Sequence, residues 1–185
     1  MGFLSKLFGR QDAAVKDARR IYAAVMAQSR QRAFYGESRF ADDYDGRIDV
    51  LTLHIAAILS NLNRFGENGE RLGQALFDEM KDDFEIALRE EALSDGSVKK
   101  RIQPMISLFY DRAKKYAEAL NQECPAAAVR AAFKDTLSNT GLNSDEIAAF
   151  TNQVADYLLS FDKNMSGLTL GEIALTQFSF PALPS

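Results

Sequence analysis

Apolar side chains recur at intervals of three and four residues along most of this chain, and this periodicity limits its possible folds more than any other feature. The clearest stripe consists of Val98, Ile102, Met105, Phe109, Ala113, Tyr116 and Leu120. Because an α-helix completes a turn in 3.6 residues, these side chains share one helical face that must be buried against a neighbour. The pattern predicts an all-α protein.

Breaks between such stripes divide the chain into six predicted helices and a tail. Gly, Asn, Ser and Pro mark the breaks, because these residues favour turns or end helices. The predicted helices cover residues 12–31, 48–64, 70–92, 98–120, 125–139 and 144–163. The 26 alanines against four prolines favour helix as well. We therefore expect a single compact bundle of six to seven helices, the seventh being a short one in the tail.

Three positions near helix ends or breaks carry separate predictions. Asp45 is placed to cap the second helix, because a carboxylate there can accept a bond from an unpaired backbone N–H. The cluster Gly66–Gly69 is expected to separate the second helix from the third. Pro104 removes one backbone hydrogen bond within the fourth helix, so we expect a bend or a fresh start there.

The chain is expected to form one domain with a segment at each end. Residues 1–11 read as a basic amphipathic arm that resembles a weak interfacial anchor, with a frayed terminus or a flap on the core as the alternative. Residues 12–167 form the helical domain. Residues 168–185 form a tail that packs on it, because the exposed rings of Phe178 and Phe180 need a surface to rest against.

A net charge of −4 hides an uneven distribution of charge. The first 40 residues contain eight Lys or Arg and three Asp or Glu, which gives +5 and leaves −9 for the remainder. The acidic body would repel nucleic acid, whereas the basic head could approach an anionic surface. Since the sequence also has no recognisable nucleic-acid-reading module, we expect no sequence-specific nucleic-acid binding.

The compartment follows from hydropathy and cysteine content. No apolar stretch approaches the roughly 20 residues that a membrane-spanning helix needs. The single cysteine, Cys124, excludes an internal disulfide framework and suits a reducing compartment. We expect a cytoplasmic protein, open to peripheral contact with the inner face of the cytoplasmic membrane.

Catalytic residues are scarce in this sequence. The only histidine, His54, lies at the apolar face of the second helix, which is typical of a structural histidine. No nucleotide-binding or metalloprotease motif occurs, so we expect no enzyme, no cofactor and no bound metal. The alternative is a small helical enzyme or a carboxylate metal-binding protein, for which the candidate ligands are Asp78, Asp82, Asp83 and Glu85.

Residues 34–120 carry an ordered series of short motifs. These are Phe34-Tyr35-Gly36, Asp45-Gly46-Arg47 before an apolar helix with Leu53-His54, Ala75-Leu76-Phe77-Asp78 through Met80, Asp82 and Asp83, and Asp95-x-Ser97-Val98-x-Lys100-Arg101-Ile102 leading to Phe109-Tyr110-x-Arg112. In order and spacing the series resembles the ubiquinol–cytochrome c chaperone family, mitochondrial and alphaproteobacterial proteins associated with assembly of the cytochrome bc1 complex. Pro104 departs from the basic or small residue that the family pattern has there.

The resemblance implies an assembly chaperone that engages newly made cytochrome b or another bc1 subunit. It also implies work near a small partner protein, the ribosome or an anionic membrane surface. Since such a client exposes apolar helices, its site should be an apolar groove with a polar rim.

We place the groove at Phe34, Tyr35, His54, Phe109 and Tyr110. The expected rim consists of Arg47, Asp82, Asp83, Arg101 and Arg112. Structural roles for the same side chains stay open, including core packing of Phe109 and pairing of Arg47 or Arg101 with Asp82 or Asp83.

Overall fold

The computed structural model describes residues 3–90, 95–137 and 144–182, and over these ranges the chain is helical almost throughout. Its α-helices are α1 (Phe3–Ser29), α2 (Tyr44–Leu62), α3 (Gly66–Glu90), α4 (Asp95–Leu120), α5 (Pro125–Leu137), α6 (Ser144–Ser166) and α7 (Leu170–Ala174). Short 3-10 helices at Arg32–Phe34 and Asn63–Phe65 precede and follow α2. The prediction of an all-α bundle of six to seven helices is confirmed.

The second helix occupies the centre of the bundle. It contacts α1, α3, α4 and α6, while α1 packs on α3, and α5 packs on both α4 and α6. Every residue of α2 from Ile48 to Ile58 is buried, so the helix is enclosed on all sides and not only along its predicted apolar stripe. A helix in that position cannot leave any polar side chain to water.

The buried polar side chains of α2 are paired with other groups in the core. Thr52 donates a 2.7 Å hydrogen bond to the backbone carbonyl one turn earlier. Asn61 donates to Asp162 of α6 at 2.7 Å, and Asp49 forms an ion pair with Arg112 of α4. The contacts of Asp49 and Asn61 join α2 to α4 and α6 by directed bonds as well as by apolar packing.

His54 is the fourth buried polar residue of α2, and it lies at the centre of a hydrogen-bonded chain. Its Nδ1 lies 2.7 Å from the carbonyl of Val50, which can only accept, so Nδ1 carries the proton. Its Nε2 then accepts from the hydroxyl of Tyr157 at 2.7 Å, and that hydroxyl accepts from the amide of Gln28 at 3.0 Å. The chain connects α1, α2 and α6 through a neutral imidazole.

The cap of α2 differs from the prediction. Asp43 is the N-cap, and its Oδ1 accepts from the backbone N–H of Gly46 at 2.9 Å. The assignment of Asp45 to this role is wrong, because the helix begins at Tyr44 and Asp45 already lies in its first turn.

Two other helix boundaries also differ. The first helix begins at Phe3 instead of residue 12, so residues 3–11 belong to α1. The third begins at Gly66, whose φ of +55° reverses the chain after α2. A Cβ on Gly69 would lie 1.9 Å from the carbonyl oxygen of Leu62, so glycine there permits close contact between the two helices.

The fourth helix is continuous through Pro104, and the expected fresh start does not occur. Pro104 and Lys100, whose carbonyl loses its helical partner, are both exposed. Water can therefore replace the missing backbone bond, and the proline stays within the helix.

The tail after α7 returns along α6 toward the core. The rings of Phe178 and Phe180 lie 5.8 Å and 4.8 Å from that of Phe161, centroid to centroid. The ring of Phe180 also lies 5.5 Å from the imidazole of His54. These two aromatic residues thus add a layer over the hydrogen-bonded chain at the centre of the bundle.

Removal of one partner from the Asp49–Arg112 ion pair should destabilise the fold strongly. Asp49→Ala leaves a largely buried guanidinium uncompensated, and we expect the free energy of unfolding to fall by about 3 kcal/mol in urea denaturation. The matched control is Asp156→Ala, which breaks the more exposed pair with Arg130. Its cost should stay below about 1 kcal/mol. Equal losses in the two variants would contradict a structural role for the inner pair.

Acidification should destabilise the wild-type chain more than a His54→Gln variant. Burial lowers the pKa of His54 to about 4, from 6.5 in an exposed imidazole. The unfolded chain therefore binds the proton first, and stability is lost as the pH falls from 6.5 toward 4. Between about pH 7 and about pH 5 the wild type should lose about 2 kcal/mol more than the variant. Urea denaturation at both pH values measures this difference, and equal losses would show that folding leaves the pKa of His54 unchanged.

Candidate functional site

A cleft of about 240 Å³ opens where the end of α1, the start of α2 and the second half of α3 meet. Its apolar wall consists of Met26, Tyr44, Ile48, Leu51, Phe84 and Ala87. Its polar lining consists of Ser29, Arg30, Tyr35, Arg47 and Asp83. We call it the Tyr35 cleft.

Backbone hydrogen bonds fix the loop that carries Tyr35. Gly36 donates to the carbonyl of Phe40, and Phe40 donates back to that of Phe34, both at 3.2 Å. Gly36 has a φ of +133°, a conformation that other residues rarely adopt. The ring of Phe40 is buried 5.2 Å from that of Phe150, so the loop is anchored to α6.

The Asp45-Gly46-Arg47 motif places a cation at the edge of the cleft. A Cβ on Gly46 would lie 2.1 Å from the carbonyl oxygen of Ala41, so only glycine allows the loop to approach the first turn of α2. Arg47 follows directly and forms an ion pair with Asp42 at 2.9 Å. The motif therefore has a steric function at Gly46 and an electrostatic one at Arg47.

The phenol of Tyr35 is held in its neutral form. Its hydroxyl donates a 2.5 Å hydrogen bond to the carbonyl of Ser29 at the end of α1, and burial raises its pKa to about 12. Behind it lies the ring of Phe34, which is fully buried and packs edge-on against His54 at 5.4 Å. Phe34 and His54 therefore support the cleft from inside the core.

The acidic residues expected at the rim face different parts of the surface. Asp83 lies in the Tyr35 cleft and accepts a 2.8 Å hydrogen bond from Tyr22. Asp82 lines a separate groove of about 440 Å³ between α1 and α3. Since Arg47 pairs with Asp42, its pairing with Asp82 or Asp83 is not observed.

The predicted residues of α4 also lie apart from the cleft. Phe109 is fully buried, and the half-exposed ring of Tyr110 rests 4.8 Å from that of Phe77 on α3. Arg112 pairs with Asp49 in the core, and Arg101 is exposed. Of the ten predicted site residues, the structure brings three into one cleft, namely Tyr35, Arg47 and Asp83.

Most of the apolar wall was not predicted as part of a site. Ile48, Leu51 and Phe84 belong to stripes that the sequence assigns to the core. Met26 belongs to no such stripe and to none of the motifs. In the sequence, Arg30 stands out only as one charge of the basic head. The wall becomes visible only when α1, α2 and α3 are brought together.

The carboxylates considered as metal ligands are dispersed. Asp78 and Asp82 line the groove, Asp83 faces the cleft, and Glu85 pairs with Lys81 at 3.9 Å. Among the residues that the structure describes, no three His, Cys, Asp or Glu side chains lie close enough together to hold a metal ion. In the same parts of the chain, no helix combines the length and the apolar character needed to cross a membrane.

The chain is similar to a protein of known structure over almost its whole length. This is the crystal structure of the Cbp3 homolog from Brucella abortus, with 27% sequence identity, 97% of each chain covered and a TM-score of 0.76. Among curated proteins, none matches the chain.

A family model described as ubiquinol-cytochrome C chaperone matches residues 37–180. The motifs lie within residues 34–120, and the match continues past them to residue 180. Of the residues in the motifs, it leaves out only Phe34, Tyr35 and Gly36. It covers most of the helical bundle, including α2 and α3, which form two sides of the Tyr35 cleft. The chain therefore belongs to the ubiquinol–cytochrome c chaperone family, as its motifs predicted.

Proposed function

We propose that this protein is an assembly chaperone of the cytochrome bc1 complex and holds newly made cytochrome b, or another bc1 subunit, in the Tyr35 cleft. The observation that carries the proposal is the combination of an apolar wall and a charged rim in one open cleft. Family membership and the similarity to the Cbp3 homolog support a chaperone role in the assembly of this complex. The protein would act on the cytoplasmic side, at the surface of the membrane.

The size of the cleft suits a transient complex. An unassembled membrane subunit exposes apolar helix faces, and each large side chain removed from water stabilises binding by roughly 1.5–3 kcal/mol. A cleft of 240 Å³ accepts a few side chains from one helix face and not a whole helix. The client is therefore shielded at one point and can still leave for the complex.

Charges at the rim would orient the client. Arg30 and Arg47 stand on one side of the cleft and Asp83 on another. Such rim charges stay partly in water, so they contribute more to orientation and to the rate of encounter than to affinity. The apolar wall supplies the affinity.

The remaining predicted residues keep a place in this proposal. We infer outlying contacts with the client for the exposed side chains of Asp82, Arg101 and Tyr110. We infer supporting roles for the buried side chains of Phe34, His54 and Phe109 and for the paired Arg112.

We also infer that the protein acts by binding and not by catalysis. Both ring nitrogens of His54 are used within the core, by the carbonyl of Val50 and the hydroxyl of Tyr157. A histidine held in this way has no free nitrogen for a substrate proton. This favours the chaperone over the alternative of a small helical enzyme.

Placing a charge in the cleft should weaken client binding. Ala87 lines the wall of the cleft and is itself exposed on α3, so Ala87→Arg should leave the fold intact because arginine is a good helix former. A guanidinium in the apolar wall must lose water when a client helix docks. We expect recovery of cytochrome b with the tagged protein from native membranes to fall roughly tenfold.

The matched control is Ala131→Arg, the same change at an exposed position of α5, which should recover cytochrome b like the wild type. If Ala87→Arg recovered as much cytochrome b as the control, the cleft would not be the client site. If the wild type recovered no bc1 subunit at all, the proposed function itself would be wrong.

A further inference from the structure

A second pocket adjoins the Tyr35 cleft and is dominated by guanidinium groups. It has a volume of about 550 Å³ and is lined by Arg30, Arg32, Tyr35, Gly36, Asp42 and Arg47. We call it the arginine pocket. Arg30, Tyr35 and Arg47 line both spaces, so the pocket and the cleft share one wall.

The pocket carries an excess of positive charge. Its single carboxylate, Asp42, is engaged by Arg47, which donates from Nε at 3.0 Å and from Nη2 at 2.9 Å. Within the described ranges, Arg30 and Arg32 have no carboxylate partner, and both are exposed to solvent. Three guanidinium groups therefore face one carboxylate, and two of the cations are available to a ligand.

The backbone of the pocket is preorganised. The loop that carries Gly36 is closed by hydrogen bonds to Phe40, and the guanidinium of Arg39 donates to the carbonyl of Ala33. The hydroxyl of Tyr35 is bonded to Ser29. A ligand would order only the arginine side chains, which limits the entropic cost of binding.

We propose that the arginine pocket binds the phosphate group of an anionic lipid at the membrane surface. The guanidinium is a rigid fork of donors that matches phosphate oxygens in pairs, and it sheds water more readily than an ammonium group. All three cations of the pocket are arginines. Its volume accommodates a phosphate together with part of a headgroup.

The surroundings of the pocket favour a membrane surface over a nucleic acid. The Tyr35 cleft, on the other side of the shared wall, places apolar side chains beside the cations, and Tyr44 in that cleft has 43% of its surface exposed. A bilayer surface presents phosphate beside hydrocarbon, and amphipathic tyrosine suits that boundary. A long polyanion would also meet Asp83 and the acidic remainder of the chain, which would repel it.

Lipid binding here would turn the mouth of the Tyr35 cleft toward the bilayer. An emerging client helix would then meet the apolar wall next to the membrane in which it is inserted. The biological purpose given to the pocket rests on the proposed function, whereas binding to lipid can be measured without any client.

Co-sedimentation of the full chain with vesicles tests the proposal. The wild type should bind phosphatidylcholine vesicles that contain phosphatidylglycerol and should not bind pure phosphatidylcholine. Arg30→Gln combined with Arg32→Gln should weaken binding about 30-fold, because each cation near an anionic surface contributes roughly a fivefold factor. Lysine at both positions should restore part of the loss, since charge returns without the paired geometry.

The matched control removes two cations from α5 and α6, Arg130→Gln with Lys163→Gln, which do not line the pocket. It should bind the vesicles nearly as the wild type does, with unchanged Tm in both double variants. Equal binding by the two double variants would overturn the proposal. Arginine-dependent binding of inorganic phosphate or of single-stranded RNA, without vesicle binding, would also overturn it. If the wild type did not bind the vesicles but still recovered cytochrome b, the lipid site would be wrong and the proposed function would stand.

Discussion

Burial of α2 on every side is the constraint on which the rest of this structure depends. A helix at the centre of a bundle usually carries only apolar residues, yet this one also encloses Asp49, Thr52, His54 and Asn61. Asp49, His54 and Asn61 have partners on α4 or α6, and Thr52 donates to a carbonyl of α2 itself. Because an unpaired polar group in such a place is costly, these partners fix how α4 and α6 are set against α2. Apolar packing alone would tolerate more than one arrangement.

The same core positions the surface that we propose to be functional. Phe34 packs on both His54 and Tyr157, so the short 3-10 helix after α1 is attached to the central hydrogen-bonded chain. Tyr35 follows immediately and points its ring into the cleft wall. The loop beyond it is closed onto Phe40 and leads to Asp43, the N-cap of α2. Buried members of the family motifs therefore act by holding exposed members in place, which explains why core and surface residues occur in one motif.

Charged residues that are spread along the sequence are brought together at particular sites by the fold. The basic head predicted for the first 40 residues includes Arg30 and Arg32, which join Arg47 of α2 around one pocket. The acidic residues of α3 are divided between the cleft, the groove and pairs on the same helix. A sum of charges over a segment cannot show this, because it carries no information about which side of a helix each charge occupies. The two spaces beside Tyr35 consequently differ in character, one mainly apolar and the other mainly cationic.

Periodicity in the sequence determined the helical class, the number of helices and most of their apolar faces, because those features depend on neighbours within one or two turns. The motif series also determined the family. Local sequence was less reliable for helix boundaries. Asp43 and not Asp45 forms the cap of α2, and Pro104 lies inside α4 and does not begin a new helix. Only the tertiary structure decided that α2 is enclosed on all sides and that Met26, Leu51 and Phe84 form one wall with Tyr35. These residues lie far apart in the chain, and their proximity results from the packing of α1, α2 and α3 against one another, which no spacing within a single helix encodes.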